Sequence, residues 1–314
     1  MPYLQIQTTP HFYDLTPAIP GAATLVFIHG WVLSHRYWTP ITNTLASHYR
    51  CLTYDLRGFG ASNHIPPSVD SGNGVTPDYG LSAYARDLET LLQKLNLGPV
   101  WLVGHSLGGS IALWAAHLWP DRVQGVICVN AGGGIYLPEE FQRFRRAGTQ
   151  IVRWRSSWLS RIPLLDLGFA RMMVAQPLSR QWGRQRLLDL LAAHPEAALG
   201  ALLASTTEAE VHRLPQVVAS LRQPTYFVAG GADPVMEERY VRHLASFHTL
   251  FHQEAGNVSV LPHCGHMAML EQPSALAQQI RQYVEAVARM DTAAKPIDSH
   301  RATTAILQKP MNGV

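Results

Sequence analysis

Three residues in the order serine, aspartate, histidine carry the first chemical suggestion. Ser106 stands in Gly104-His105-Ser106-Leu107-Gly108-Gly109, after the apolar run Val100-Trp101-Leu102-Val103 and before Ser110 to Leu118, a helical stretch closed by Trp119-Pro120. A Gly-x-Ser-x-Gly turn between strand and helix is so sharp that the serine adopts a strained backbone, and the flanking glycines leave the room it needs. The hydroxyl is then exposed at a helix N-terminus, where free N–H groups favour a developing oxyanion. The pentapeptide alone also suits a glycine-rich turn in any α/β protein. A serine hydroxyl becomes a nucleophile only beside a base that takes its proton, and the base needs a carboxylate to fix its tautomer. Asp233 follows the apolar run Thr225 to Ala229, and His266 follows Val258 to Leu261. All three residues therefore fall just past the ends of expected strands, which is where such a relay requires them.

Each role has rivals. Asp55 also follows a strand, but beside Arg57 in a tight glycine-bearing turn it is expected to hold that turn. Asn130 ends another strand and cannot ionise. His263, in a Pro-His-Cys turn, is expected to pack, and the His105 side chain is expected to point under the elbow. The oxyanion donors are expected to be the backbone N–H groups of Leu107, which follows the nucleophile, and of Trp31, past His29-Gly30. Cys264 reads as inert filler next to the base.

The elements that must position these groups follow a regular pattern. Thr24 to Ile28, Arg50 to Tyr54, Val100 to Val103, Val123 to Val129, Thr225 to Ala229 and Val258 to Leu261 are short, mostly apolar runs that read as strands of a parallel sheet. Several end in glycine-rich turns, as at Asp55-Leu56-Arg57-Gly58-Phe59-Gly60-Ala61-Ser62 and Asn130-Ala131-Gly132-Gly133-Gly134. Ligands bind at that edge of a doubly wound sheet. One or two edge strands are expected before Thr24. Helical spacing marks Tyr37 to Ser47, Leu81 to Leu95, and a closing helix from Pro273 with Leu276, Ile280 and Val284 or Val287 inward, while His64 to Gly80 reads as a loop. From Glu139 to Asp189 the pattern becomes purely helical, with ten arginines against four acids and many Trp, Phe and Met residues. The expected organisation is a core over 1–135, a helical cap over 136–214 inserted between two strands, the rest of the core over 215–290, and a flexible tail over 291–314.

Composition narrows the function classes. The chain has 314 residues, is 47% hydrophobic and 15% charged, and carries a net charge of +3, with no basic tract of the kind nucleic-acid binding favours. Three cysteines form neither a CxxC pair nor an even framework, so neither a disulfide scaffold nor a zinc site is expected, and a reducing, cytoplasmic compartment is. Met1 to Gln5 lacks the pattern of a secretory signal. The apolar cap residues could wall a tunnel for a long chain, or simply pack the cap onto the sheet. Its six excess positive charges suit peripheral contact with an anionic membrane surface.

With these pieces together, the chain resembles the α/β-hydrolase superfamily from Thr24 to Met290. The resemblance rests on His29-Gly30-Trp31, Asp55-x-Arg57-Gly58-x-Gly60-x-Ser62, the elbow, Gly231-Ala232-Asp233 and Gly265-His266-x-x-x-x-Glu271-x-Pro273. It implies a mostly parallel central sheet with helices on both faces, an inserted helical cap and no cofactor or metal. Ser rather than Asp at position 106 disfavours the dehalogenase and epoxide-hydrolase branches and favours acyl transfer to water. More narrowly, Val129-Asn130-Ala131-Gly132-Gly133-Gly134 running into an arginine- and tryptophan-rich cap is similar to chlorophyll dephytylase and its cyanobacterial relatives, which cleave a phytyl ester. The resemblance thus implies a serine hydrolase acting on a hydrophobic ester. A lipase, an acyltransferase, a C–C bond hydrolase and a ligand sensor acting through partner binding stay open.

Overall fold

The computed structural model describes residues 2–64, 78–133, 138–254 and 256–293. Eight strands form one sheet: β1 (Tyr3–Ile6), β2 (Thr9–Leu15), β3 (Thr24–Ile28), β4 (Arg50–Tyr54), β5 (Val100–His105), β6 (Val123–Val129), β7 (Thr225–Gly230) and β8 (Val258–Leu261). Their order across the sheet is β1-β2-β4-β3-β5-β6-β7-β8. β1 and β2 pair antiparallel, as do β2 and β4, and every other pairing is parallel. The apolar runs are the parallel strands of this sheet.

Alternation along the strands feeds two cores. Val26, Ile28 and Leu102 point to one face, where α2 (Leu81–Lys94) and α3 (Leu107–Leu118) pack. Leu25, Phe27, Trp101 and Val103 point to the other, shared with Ile41 of α1 (Thr39–Leu45) and with Leu276, Ile280 and Val284. The helical spacing expected from Tyr37 to Ser47 resolves into a 3₁₀ turn, His35–Trp38, followed by α1, which has a proline in its first turn.

Between β6 and β7 lie α4 (Pro138–Trp154), α5 (Leu165–Arg171), α6 (Arg180–Ala192), α7 (Pro195–Ser205) and α8 (Glu208–Ser220). Leu214, where the sequence reading ends the cap, is inside α8, and α8 packs on α3 of the core. Thr207 starts that helix, its side chain accepting the Glu210 N–H at 3.1 Å. This Thr-x-x-Glu cap is a local start signal that apolar spacing alone passes over. After β7 come α9 (Glu238–Ala245), the short α10 (Ala268–Glu271) and α11 (Pro273–Ala293). The closing helix thus continues past Met290, the expected limit. The next proline is Pro296, so nothing in 291–293 compels an earlier stop. The remainder of the expected tail and most of the expected loop between His64 and Gly80 lie outside the described residues. Among the described residues no single helix is long and apolar enough to cross a membrane. α6 and α7 pass that test only as a pair bent by 96°.

Candidate active site

Ser106 joins β5 directly to α3 with φ 51° and ψ −118°, a conformation that costs an L-residue about 1–3 kcal/mol. The surrounding backbone imposes it. The Ser106 N–H donates to Val129 O at 3.0 Å, and Ser106 O accepts from Gly109 N–H at 2.9 Å. A side chain at Gly104 would collide with the Gly108 carbonyl, and one at Gly108 with the Ile28 carbonyl. Strand, elbow and helix are therefore in backbone contact, and Ser106 remains partly exposed at the top.

The aspartate and histidine arrive from the ends of β7 and β8. His266 Nδ1 lies 2.8 Å from Asp233 Oδ2, with both side chains buried. An ionised Asp233 can only accept, so this bond places the proton on Nδ1 and leaves the Nε2 lone pair free for a hydroxyl. Asp233 is fully satisfied. Its Oδ1 accepts the N–H groups of Val235 at 2.8 Å and Met236 at 3.0 Å, and its Oδ2 also accepts the Asn130 amide at 2.8 Å. Burial pushes this carboxyl up, but His266 and the Met236 and Val235 N–H groups outweigh it and hold Asp233 below the ordinary range.

The His266 loop is held from two sides. Its N–H donates to Met173 O at 2.9 Å, and its carbonyl lies 2.7 Å from His105 Nε2. His105 packs beneath His266, its ring centroid 4.9 Å from that of His266, and also touches the cavity wall. Burial first, and then the neighbouring His266, push it down to about 3, so His105 is a neutral donor and not a second base. Glu271 gathers the rest of the loop. Its Oε2 accepts from Gly265 N–H at 3.0 Å and from Ala175 N–H of the cap at 2.8 Å, and its Oε1 accepts from Met267 N–H at 3.0 Å.

The other expected residues flank the serine. Leu107 and Trp31 line a cavity with Ser106, and among the described residues neither backbone N–H has a hydrogen-bond partner. Leu107 is the first residue of α3, where the amide has no partner within its helix. The Trp31 turn is fixed by buried His29, which accepts the Leu56 N–H on Nε2 at 3.0 Å and so donates through Nδ1 to Gly30 O at 2.8 Å. The Trp31 indole donates to Ala198 O of α7 at 2.8 Å, tying this turn to the cap.

Ser106 and His266 share the wall of an apolar cavity of about 350 Å³ roofed by Phe144, Ile151 and Met172 of the cap. A second cavity of about 90 Å³, lined by Leu107, Leu202 and Thr206, also opens onto Ser106. Among the described residues no group of three or more His, Cys, Asp or Glu side chains could hold a metal ion.

The rivals resolve differently. Asp55 accepts from His35 N–H at 2.6 Å and Ala61 N–H at 2.7 Å, holding its turn, while Arg57 pairs with Asp87 at 2.9 Å. His263 does not pack as expected but is exposed, at φ 56°. Burial pushes Cys264 up to about 12, keeping it a thiol. Asn130, passed over because it cannot ionise, instead positions the acid. Its place at a strand end beside glycines was the available signal. Arg186, which lines the larger cavity and donates to Phe169 O at 2.6 Å and Met172 O at 2.7 Å, had none beyond the cap's arginine richness.

The profile of the alpha/beta hydrolase fold matches residues 23–273. A 2-succinyl-6-hydroxy-2,4-cyclohexadiene-1-carboxylate synthase of Salmonella heidelberg is 29% identical over 268 residues, 85% of this chain and 95% of that protein. Among solved structures, a thermophilic esterase from Thermogutta terrifontis superposes with a TM-score of 0.68 at 23% identity, covering 89% of this chain and 94% of that one. An esterase from Exiguobacterium antarcticum superposes at 0.71 with 19% identity, covering 90% and 98%. At those identities the two structures speak to fold alone. The matched residues run from β3 past His266 to the start of α11, and the chain belongs to the alpha/beta hydrolase fold family.

Proposed function

We propose that the protein hydrolyses carboxylic esters of hydrophobic substrates through Ser106, His266 and Asp233. The carrying observation is that Ser106, strained outward at its elbow, shares an apolar cavity with His266, whose Nδ1 is bonded to Asp233. Ser106 Oγ attacks the ester carbonyl as its proton passes to His266 Nε2. Asp233 stabilises the imidazolium. The oxyanion accepts from the Leu107 and Trp31 N–H groups, His266 returns the proton to the departing alcohol, and water releases the acid by the same path.

The lining of Phe169, Met172, Met173 and Leu190 supports an apolar substrate. The phytyl ester of a chlorophyll-type pigment is the most specific form of this reading. Exposed Trp154, Trp158 and Leu164, with the cap's arginines, support collection of such esters from an anionic lipid surface. Three free, buried cysteines suit a reducing compartment. A fluorophosphonate probe tests the assignment. Intact protein should be labelled and Ser106→Ala should not; equal labelling of both would remove Ser106 from its role.

A second reading follows from the Salmonella relative, whose name describes synthesis of a cyclohexadiene carboxylate. The buried Arg186 guanidinium in the cavity wall favours it, since it could face a substrate carboxylate. Turnover of simple uncharged esters through an acyl-enzyme separates the two.

A further inference from the structure

Ser106 stands where two cavities meet, and they are unequal in size and chemistry. Trp31, Ser106, Phe144 and Val235 border both, but His266 borders only the larger. The larger holds about 350 Å³ and is walled by Ile151, Phe169, Met172, Met173 and Met267, whereas the smaller holds about 90 Å³ and carries the hydroxyls of Ser110, Ser205 and Thr206.

Acyl transfer assigns the halves of an ester to these spaces. When Ser106 Oγ bonds to the carbonyl carbon and the ester C–O bond breaks, the departing oxygen takes its proton from His266. The alcohol half must therefore lie on the side of His266. The acyl half, covalently held by Ser106 until water cleaves it, lies on the other. We propose that the enzyme selects esters that join a large apolar alcohol to a short acyl group. This rests on the ester-hydrolase reading above, adds a direction to it, and weighs against its phytyl-pigment form, whose acyl half is a tetrapyrrole far larger than the smaller space.

The volumes set the scale. An apolar cavity of about 150 Å³ accommodates benzene, so by proportion the smaller space takes an acyl group of about two to four carbons and the larger an alcohol of up to about fourteen. Ile151 and Met172, both in the wall of the larger cavity, are 43% and 39% exposed. That cavity therefore reaches the surface, and a longer alcohol continues outward past them.

Decyl acetate and ethyl decanoate test this directly, because they are constitutional isomers with the ester reversed. With purified full-length protein in dilute detergent, kcat/KM for decyl acetate should exceed that for ethyl decanoate at least tenfold. Leu202→Ala, which shortens a wall of the smaller cavity, should raise ethyl decanoate turnover and move the ratio toward unity. Equal rates, a preference for ethyl decanoate, or an unmoved ratio in Leu202→Ala would overturn the assignment of halves while leaving the hydrolase reading intact. Failure to cleave either isomer, with no fluorophosphonate labelling of Ser106, would overturn the hydrolase reading itself.

Discussion

The side-chain amide of Asn130 and Nδ1 of His266 donate to the same oxygen of Asp233, Oδ2, each at 2.8 Å. Asn130 also donates to Gly265 O at 3.1 Å, so it spans from Asp233 to the loop that carries His266. It does this from a left-handed conformation, φ 48°, that asparagine tolerates better than most residues.

Asn130→Asp and Asn130→Gly both keep that backbone accessible, and both remove the donor. Loss of a hydrogen bond to a carboxylate is worth about 1.5–3 kcal/mol, so kcat should fall roughly tenfold to a hundredfold with KM little changed. The aspartate variant should be worse, because two carboxylates would then face each other. Steady-state kinetics and the rate of fluorophosphonate labelling check this.

Glu271 is a positioning residue, reaching four backbone N–H groups of the His266 loop and the cap segment at Ala175 and Gln176. Glu271→Gln removes the charge and turns one acceptor into a donor that faces N–H groups. The expected loss is about 2–4 kcal/mol of stability, with faster amide exchange at residues 173–176 and 265–267. Thermal unfolding and hydrogen-exchange mass spectrometry would register both.

At the elbow, neither Gly104→Ala nor Gly108→Ala has a flexible neighbour that can yield, since the added carbon meets carbonyl groups of the backbone. Destabilisation above about 4 kcal/mol is expected for each, in the range reserved for severe core disruption. Gly98→Ala, where nothing stands within 4 Å, serves as the benign control. Chemical denaturation of the three variants ranks them.

Asp189 of α6 accepts from Ser34 Oγ at 3.1 Å, bridging cap and core. Burial pushes this carboxyl up to about 6, against the hydrogen bonds from Gln185 and Ser34. A proton held more tightly in the folded state gives stability that is complete below the unfolded carboxyl range and is lost as pH rises through about 6. The stability of wild type relative to Asp189→Asn should therefore fall by about 2 kcal/mol between about pH 4 and pH 7. Urea unfolding of both proteins across that interval would show the slope, and a flat difference would contradict it.

Trp154 and Trp158 are 78% and 57% exposed on a cap rich in arginine. The protein should float with phosphatidylserine-containing vesicles at low salt and detach as the salt is raised past about 0.5 M. Replacing both tryptophans with alanine should abolish flotation even at low salt. Failure of the wild type to float would remove the lipid surface as the source of substrate.

Much of this arrangement was legible in the residues because strands of a largely buried parallel sheet read as short, mostly apolar runs. Thr24–Ile28, Arg50–Tyr54, Val123–Val129 and Val258–Leu261 have the limits that their apolar runs suggest. Ser106, Asp233 and His266 could be proposed together because each sits just past such a run. What escaped depends on distances across the chain. Nothing local to Asn130 announces an aspartate 103 positions away, and nothing local to Glu271 announces the amide of Ala175. The start of α8 escaped for the opposite reason, since Thr207 and Glu210 form a short local signal inside a long apolar pattern.

The Trp31 indole bond to Ala198 and the His266 amide bond to Met173 bear on how such enzymes diversify. The cap of this chain is not an interchangeable module that only chooses the substrate. It supplies two backbone carbonyls that brace the turns carrying Trp31 and His266. A chimaera with a foreign cap would therefore lose turnover along with its old specificity, unless the incoming cap brought carbonyls to the same two places.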